Sequence, residues 1–84
     1  MKTVEIYTTQ ICPYCMAAKS LLRKKGVTFT EIDVGRDPAQ RQKMTDRARG
    51  GRTVPQIFIG GTHVGGCDDL HALDHAGKLD LMLA

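Results

Sequence analysis

The chain has 84 residues, 42% of them hydrophobic and 25% charged, with a formal net charge of +3. This length accommodates one domain, residues 1–84, with a core of modest size, and the composition excludes intrinsic disorder and low-complexity tails. There is no run of about 18 apolar residues, and "MKTVEIYT" leads straight into an alternating pattern, which excludes a membrane span or secretory core and predicts a cytoplasmic protein. The basic residues are spread over 23–25, 41–43 and 47–52; with few stacking aromatics and no binding motif, they suit small anionic ligands rather than nucleic acid.

Alternation of Val4 and Ile6 with Glu5 predicts a first strand over 2–8. Good helix formers follow, with apolar Met16, Ala17, Leu21 and Leu22, a basic last turn and Gly26 just beyond, predicting a helix over about 13–25. "VTFTEIDV" at 27–34 alternates again as a second strand, and a helix of this length between two strands implies a parallel βαβ crossover. Asp37 as N-cap, Pro38 at the first helical position and Gln40 three residues after the cap open a second helix over 38–48. Only Ala39, Met44 and Ala48 are apolar there, so this helix is expected to lie exposed on the surface.

Beyond "GGRTVP", two short strands at 56–59 and 62–64 flank a Gly60-Gly61 hairpin turn. "CDDLHALDHAG" opens with capping aspartates, sets Leu70 and Leu73 on one face and ends at Gly77, while Leu79, Met82 and Leu83 fit a short final helix. His63 reads as a surface residue.

The chemistry centres on "CPYC" at 12–15. Cys12 falls where a strand has ended and a helix begins, with Pro13 preset for the first helical turn, so its sulfur sits beside unsatisfied N–H groups at the positive end of the helix dipole. That position favours thiolate; a free thiol titrates near 8.5, and cysteines so placed are lowered by roughly one to five units. Cys15, one turn on, is within reach as a less exposed resolving thiol. A redox pair and a half metal or cluster site both remain open. Three cysteines do not make the disulfide framework of a secreted domain. A closed zinc site needs further ligands, for which Cys67 stands alone and His71 and His75 offer only an i, i+4 pair that usually faces solvent.

"CPYC" after a first strand, "TVPQIFI" at 53–59 and "GGCDD" at 65–69 occur in order, and together they closely resemble a glutaredoxin of the dithiol type over essentially the whole chain. The resemblance implies an α/β thioredoxin fold, a four-stranded mixed sheet flanked by helices, with Cys12 as nucleophile and Cys15 as resolving thiol. It implies a cis peptide before Pro55, leaving the N–H and C=O of Val54 free to pair with an extended cysteinyl peptide.

It further implies glutathione as co-substrate, with no tightly bound cofactor and no metal. For the γ-glutamyl end, Gly65 and Gly66 would allow close backbone approach, the helix start at Cys67 and Asp68 would offer N–H groups, and Asp68 or Asp69 would receive the ammonium. Tyr14 would pack against the tripeptide, Thr53 would help hold it, and Gln42 would contribute from the second helix. The chain departs from the pattern at Thr9, where many glutaredoxins carry lysine; Arg41 or Arg52 could compensate. Cys67 needs no redox role, since a small side chain beside a close backbone approach explains it.

The expected partners are glutathione and disulfide-containing or glutathionylated proteins, ribonucleotide reductase being one candidate, with no nucleic acid, no membrane and a monomeric state. The rival readings are a redoxin reduced by thioredoxin reductase, a carrier bridging an iron-sulfur cluster between two monomers through Cys12 and glutathione, and a basic interaction module with an incidental CxxC.

Overall fold

In the computed structural model, which describes residues 1–84, the first strand, β1 (Val4–Thr8), becomes an inner strand with Val4, Ile6, Tyr7 and Thr8 all buried. On one side it pairs in parallel with β2 (Thr30–Asp33), and on the other it runs antiparallel to β3 (Gln56–Ile59). β3 is wholly buried and pairs antiparallel with β4 (Thr62–Gly65), giving a four-stranded mixed sheet of order β2-β1-β3-β4. Gly60 and Gly61 both take positive φ, 57° and 81°, the geometry a two-residue hairpin turn requires.

Four helices complete the chain: α1 (Pro13–Lys24), α2 (Pro38–Arg47), α3 (Cys67–His75) and α4 (Leu79–Leu83). The larger core joins Val4, Ile6, Ile57 and Ile59 of the sheet to Ala18 and Leu22 of α1, Leu70 of α3, and Leu79 and Leu83 of α4. The smaller core joins Tyr7, Val34 and Phe58 to Met44 and Ala48. The two clusters occupy opposite faces, as the period of two along β1 and β3 requires.

Two expectations need correction, the start of the second strand and the N-cap of α3. Helix α1 buries Cys15, Ala18, Leu21 and Leu22, whereas Met16 is 63% exposed and Ala17 lies outside the core. The stripe at i, i+3, i+6 and i+7 runs through the second cysteine, which composition alone does not mark as core. The second strand begins only at Thr30, because Gly26 and Val27 still belong to the end of α1: Gly26 N–H donates to the Arg23 carbonyl and Val27 N–H to that of Leu22, a Schellman closure. Helix α2 lies on the surface as expected, with Met44 its one buried residue, packed beside Ala48 against the aromatic face of the sheet. The N-cap position of α3 is Gly66, and of the expected capping aspartates Asp69 acts from the third helical position by accepting the Gly66 N–H.

Arg47 docks α2 onto that face. Its guanidinium donates to both carboxylate oxygens of Glu5 at 3.2 and 3.0 Å and to the Tyr7 hydroxyl at 2.8 Å, and it lies 4.1 Å from the Phe58 ring centroid. Arg47 holds the Glu5 carboxyl below its ordinary range, so the pair's contribution is complete above that range and fades as pH falls through the lowered value.

Helix α2 ends in the same closure as α1, with Arg49 N–H donating to the Asp46 carbonyl and Gly50 N–H to that of Thr45. Here the left-handed position belongs to Arg49, at φ 54°, and not to glycine. A side chain in that region costs roughly 1–2 kcal/mol, against which glycine loses about 0.5–1 kcal/mol of backbone entropy. Arg49→Gly should therefore raise stability by about 0.5–1 kcal/mol in urea unfolding; a destabilised variant would show that the Arg49 side chain contributes contacts that outweigh the backbone term.

Candidate active site

β1 ends at Thr8 and α1 starts at Pro13, so residues 9–12 carry the chain from the sheet edge to the helix N-terminus. Cys12 is the N-cap in extended conformation, and its sulfur accepts the Cys15 N–H at 3.1 Å. Sulfur thus takes the place usually filled by a Ser or Asp oxygen, and an anionic sulfur there gains most from the dipole. Cys12 and Cys15 are joined as a disulfide with a Cα–Cα distance of 5.2 Å. Cys12 is 7% exposed and Cys15 only 1%, so an incoming group reaches Cys12 first.

The loop before β3 faces this disulfide. The Val54–Pro55 peptide is cis, as the family resemblance implied, and the Val54 carbonyl oxygen lies 3.9 Å from Cys12 Sγ. Neither the N–H nor the carbonyl of Val54 is engaged in a backbone hydrogen bond. A groove of about 440 Å³ opens beside the loop, and Tyr14, Thr53, Val54, Pro55, Gly66, Cys67, Asp68 and Asp69 all line it. Residues separated by more than 50 positions in sequence therefore share one surface. Tyr14 stands 65% exposed at its mouth.

The two aspartates differ. The Asp69 carboxylate accepts the Gly66 N–H at 3.0 Å and caps α3, and a Cβ at Gly65 would overlap that carboxylate, which with its φ of 118° explains the glycine. Asp68 is exposed and makes no side-chain hydrogen bond or ion pair. Gln42 is not part of the groove: its amide donates to the Asp46 carboxylate at 2.9 Å, and it lines a separate cleft with Arg41 and Arg52. Arg41 also borders a third cleft beside Thr9, Gln10 and Ile11, and its guanidinium donates to the Arg52 carbonyl at 2.9 Å.

Two residues expected to be bystanders are engaged. His71 Nδ1 lies 2.9 Å from the Cys67 carbonyl oxygen and 3.4 Å from Cys67 Sγ, while His75 remains exposed. Burial, with the Asp68 charge adding to it, pushes the Cys67 thiol up. His63, at the surface, contacts the groove residue Gln56, and neither of the two was marked as a site residue from sequence. No group of three or more His, Cys, Asp or Glu side chains is placed to hold a metal ion, and no helix is long and apolar enough to cross a membrane.

A four-stranded mixed sheet with a CxxC disulfide at the N-terminus of its first helix and a cis-proline loop beside it defines the thioredoxin-fold class of thiol-disulfide oxidoreductases. Within that class, the glutaredoxin family model matches residues 4–64. The chain is 58% identical over 84 residues to a glutaredoxin of Pseudomonas aeruginosa, spanning 100% of this chain and 99% of that one. It is 54% identical over 83 residues to glutaredoxin 3 of Escherichia coli strain K12, covering 99% of each. Among solved structures, a buckwheat glutaredoxin-glutathione complex superposes with a TM-score of 0.89 at 32% identity, over 98% of this chain and 76% of that one. The solution structure of a Brucella melitensis glutaredoxin does so with a TM-score of 0.86 at 55% identity, over 99% and 89%. The chain belongs to the glutaredoxin family and is a thiol-disulfide oxidoreductase.

After reduction, the three cysteines should differ in reactivity. At pH 7, iodoacetamide followed by peptide mass spectrometry should label Cys12 at least about tenfold faster than Cys67. Equal rates would show that burial and helix position do not sort these thiols.

Proposed function

We propose that residues 1–84 act as one glutaredoxin domain, a monomeric cytoplasmic enzyme that uses glutathione to reduce protein disulfides and protein-glutathione mixed disulfides. The observation that carries this reading is the placement of the Cys12 sulfur as N-cap of α1, beside the groove that gathers Tyr14, Thr53, Val54 and Asp68. The buckwheat complex, a relative holding glutathione, supports the choice of tripeptide.

The Cys12 thiolate attacks one sulfur of the substrate disulfide; a Cys12–substrate S–S bond forms, the old one breaks, and the departing thiolate takes a proton from water. On a protein disulfide, the Cys15 thiolate then attacks Cys12 Sγ, releasing the second substrate thiol and leaving the Cys12–Cys15 pair oxidised. One glutathione thiolate reopens that pair at Cys12, the more exposed sulfur, and expels Cys15 as thiolate. A second glutathione attacks the sulfur of the bound one, so that glutathione disulfide leaves and Cys12 returns as thiolate. A substrate already carrying glutathione needs only Cys12, since attack on the glutathione sulfur enters the cycle at its last step.

In the groove, the free N–H and C=O of Val54 pair with the cysteinyl backbone of the tripeptide. The first N–H groups of α3, at Cys67 and Asp68, receive the γ-glutamyl carboxylate, and Asp68 takes the ammonium, Asp69 being engaged with Gly66. For the glycyl carboxylate Thr9 supplies no charge, and Arg41, bordering the clefts on both sides, is the cation placed to attract it. Gln42, in the cleft it shares with Arg41, keeps one amide N–H and its carbonyl oxygen for the same end of the ligand.

Two measurements test the reading. With reduced glutathione, glutathione reductase, NADPH and a small glutathione mixed disulfide, Cys12→Ser should be inactive while Cys15→Ser turns over; turnover only with thioredoxin reductase in place of glutathione would overturn it. Arg41→Ala should raise the KM for glutathione about two- to fivefold, the scale of an exposed charge contact, and the difference should shrink with added salt. An unchanged KM at low salt would remove Arg41 from the site.

A further inference from the structure

Gln56 is the one polar residue of β3, and it is only 5% exposed. It lies on the face of the sheet that carries Phe58, and every polar atom of its amide is used. Nε2 donates to the Thr53 carbonyl at 3.0 Å and reaches the Thr53 hydroxyl at 3.4 Å. Oε1 lies 2.6 Å from His63 Nε2, which must carry the proton because the amide oxygen can only accept. The imidazole is held in turn against the Phe58 ring, 5.0 Å between centroids.

A third position was shaped around the same amide. Gly51 has no positive φ to justify it, yet a Cβ there would stand 3.0 Å from Gln56 Nε2 and 3.0 Å from the Ala48 Cβ. The absent side chain is space for the glutamine. Gly51 of the α2–β3 loop and His63 of β4 thus converge on one amide of β3, and that amide grips Thr53, the residue before Val54.

We propose that Gln56 is a positioning residue for substrate: oriented by His63 and given room by Gly51, it pulls the Thr53 carbonyl inward and so holds Val54 at its station opposite Cys12. A buried hydrogen-bonded amide fixes a loop that has no ladder hydrogen bonds of its own. The consequence is a fixed alignment of an extended cysteinyl substrate with the nucleophile, so the pair acts on binding geometry and not on the sulfur chemistry. This inference rests on the reading of the groove as the glutathione site.

The test compares wild type with Gln56→Leu, His63→Ala and Gly51→Ala by two readouts. In steady-state kinetics on a small glutathione mixed disulfide, Gln56→Leu should raise KM about five- to tenfold with kcat within about twofold, the scale of one or two lost hydrogen bonds. Gly51→Ala and His63→Ala should shift KM the same way by less. In the free reduced proteins, the backbone 15N order parameter of Val54 should fall from the rigid value of about 0.85 toward the flexible range below about 0.6. If Gln56→Leu does not fold, the other two variants, which retain the glutamine, carry the test. Unchanged KM and an unchanged Val54 order parameter would overturn the proposal, as would a loss of kcat that merely follows the folded fraction. Should wild type fail to turn over the glutathione substrate, the glutathione reading falls, and the order parameters alone decide whether Gln56 holds the loop.

Discussion

The hydrogen bond from the Cys15 N–H to the Cys12 sulfur is the interaction on which the rest of this molecule is organised. A helix must satisfy its first N–H groups, and here the Cys12 sulfur does so, which ties the start of α1 to the disulfide. Because Cys15 and Ala18 of that helix are buried and Ala18 and Leu22 belong to the larger core, Cys12 is held by the same packing that stabilises the domain. The opposite wall comes from β3, an inner strand buried along its length, so Cys12 and the Val54 loop both rest on rigid elements.

Much of this was legible in the sequence because local rules and tertiary need agree. Alternation in β1, the Asp37-Pro38 start of α2 with Asp37 accepting the Gln40 N–H, the double-glycine hairpin and the glycine closures at 26 and 77 are each read within a few residues. The groove was legible too, through three motifs in order, and Tyr14, Thr53–Pro55 and Gly66–Asp69 do come together.

What escaped depends on contacts that no local pattern encodes. Met16 and Ala17 satisfy a helix as well as Ala18 does, and only the position of the sheet decides which faces inward. Gln42, assigned through the family resemblance, lies in a cleft beside Arg41 and Arg52 and gives one amide N–H to Asp46 four residues on, an i, i+4 pairing that was readable in principle. Arg47 reaches Glu5 across 42 residues, and Gln56 meets His63 across the bulged β3–β4 hairpin, so their roles require the fold before they can be seen. The one available signal for the latter was a polar residue inside an otherwise apolar strand, "QIFI", which ought to raise the question of its partner.

The proposed function requires the groove between the Val54 loop and the start of α3 to hold the tripeptide while its sulfur is bonded to Cys12. Trapping glutathione on Cys15→Ser and recording intermolecular NOEs in the resulting mixed disulfide tests this most directly. Glutathione is expected on Cys12, with cysteinyl contacts to Val54 and γ-glutamyl contacts to the Cys67–Asp68 backbone. Glutathione carried by Cys67, or contacts confined to the face outside this groove, would contradict it.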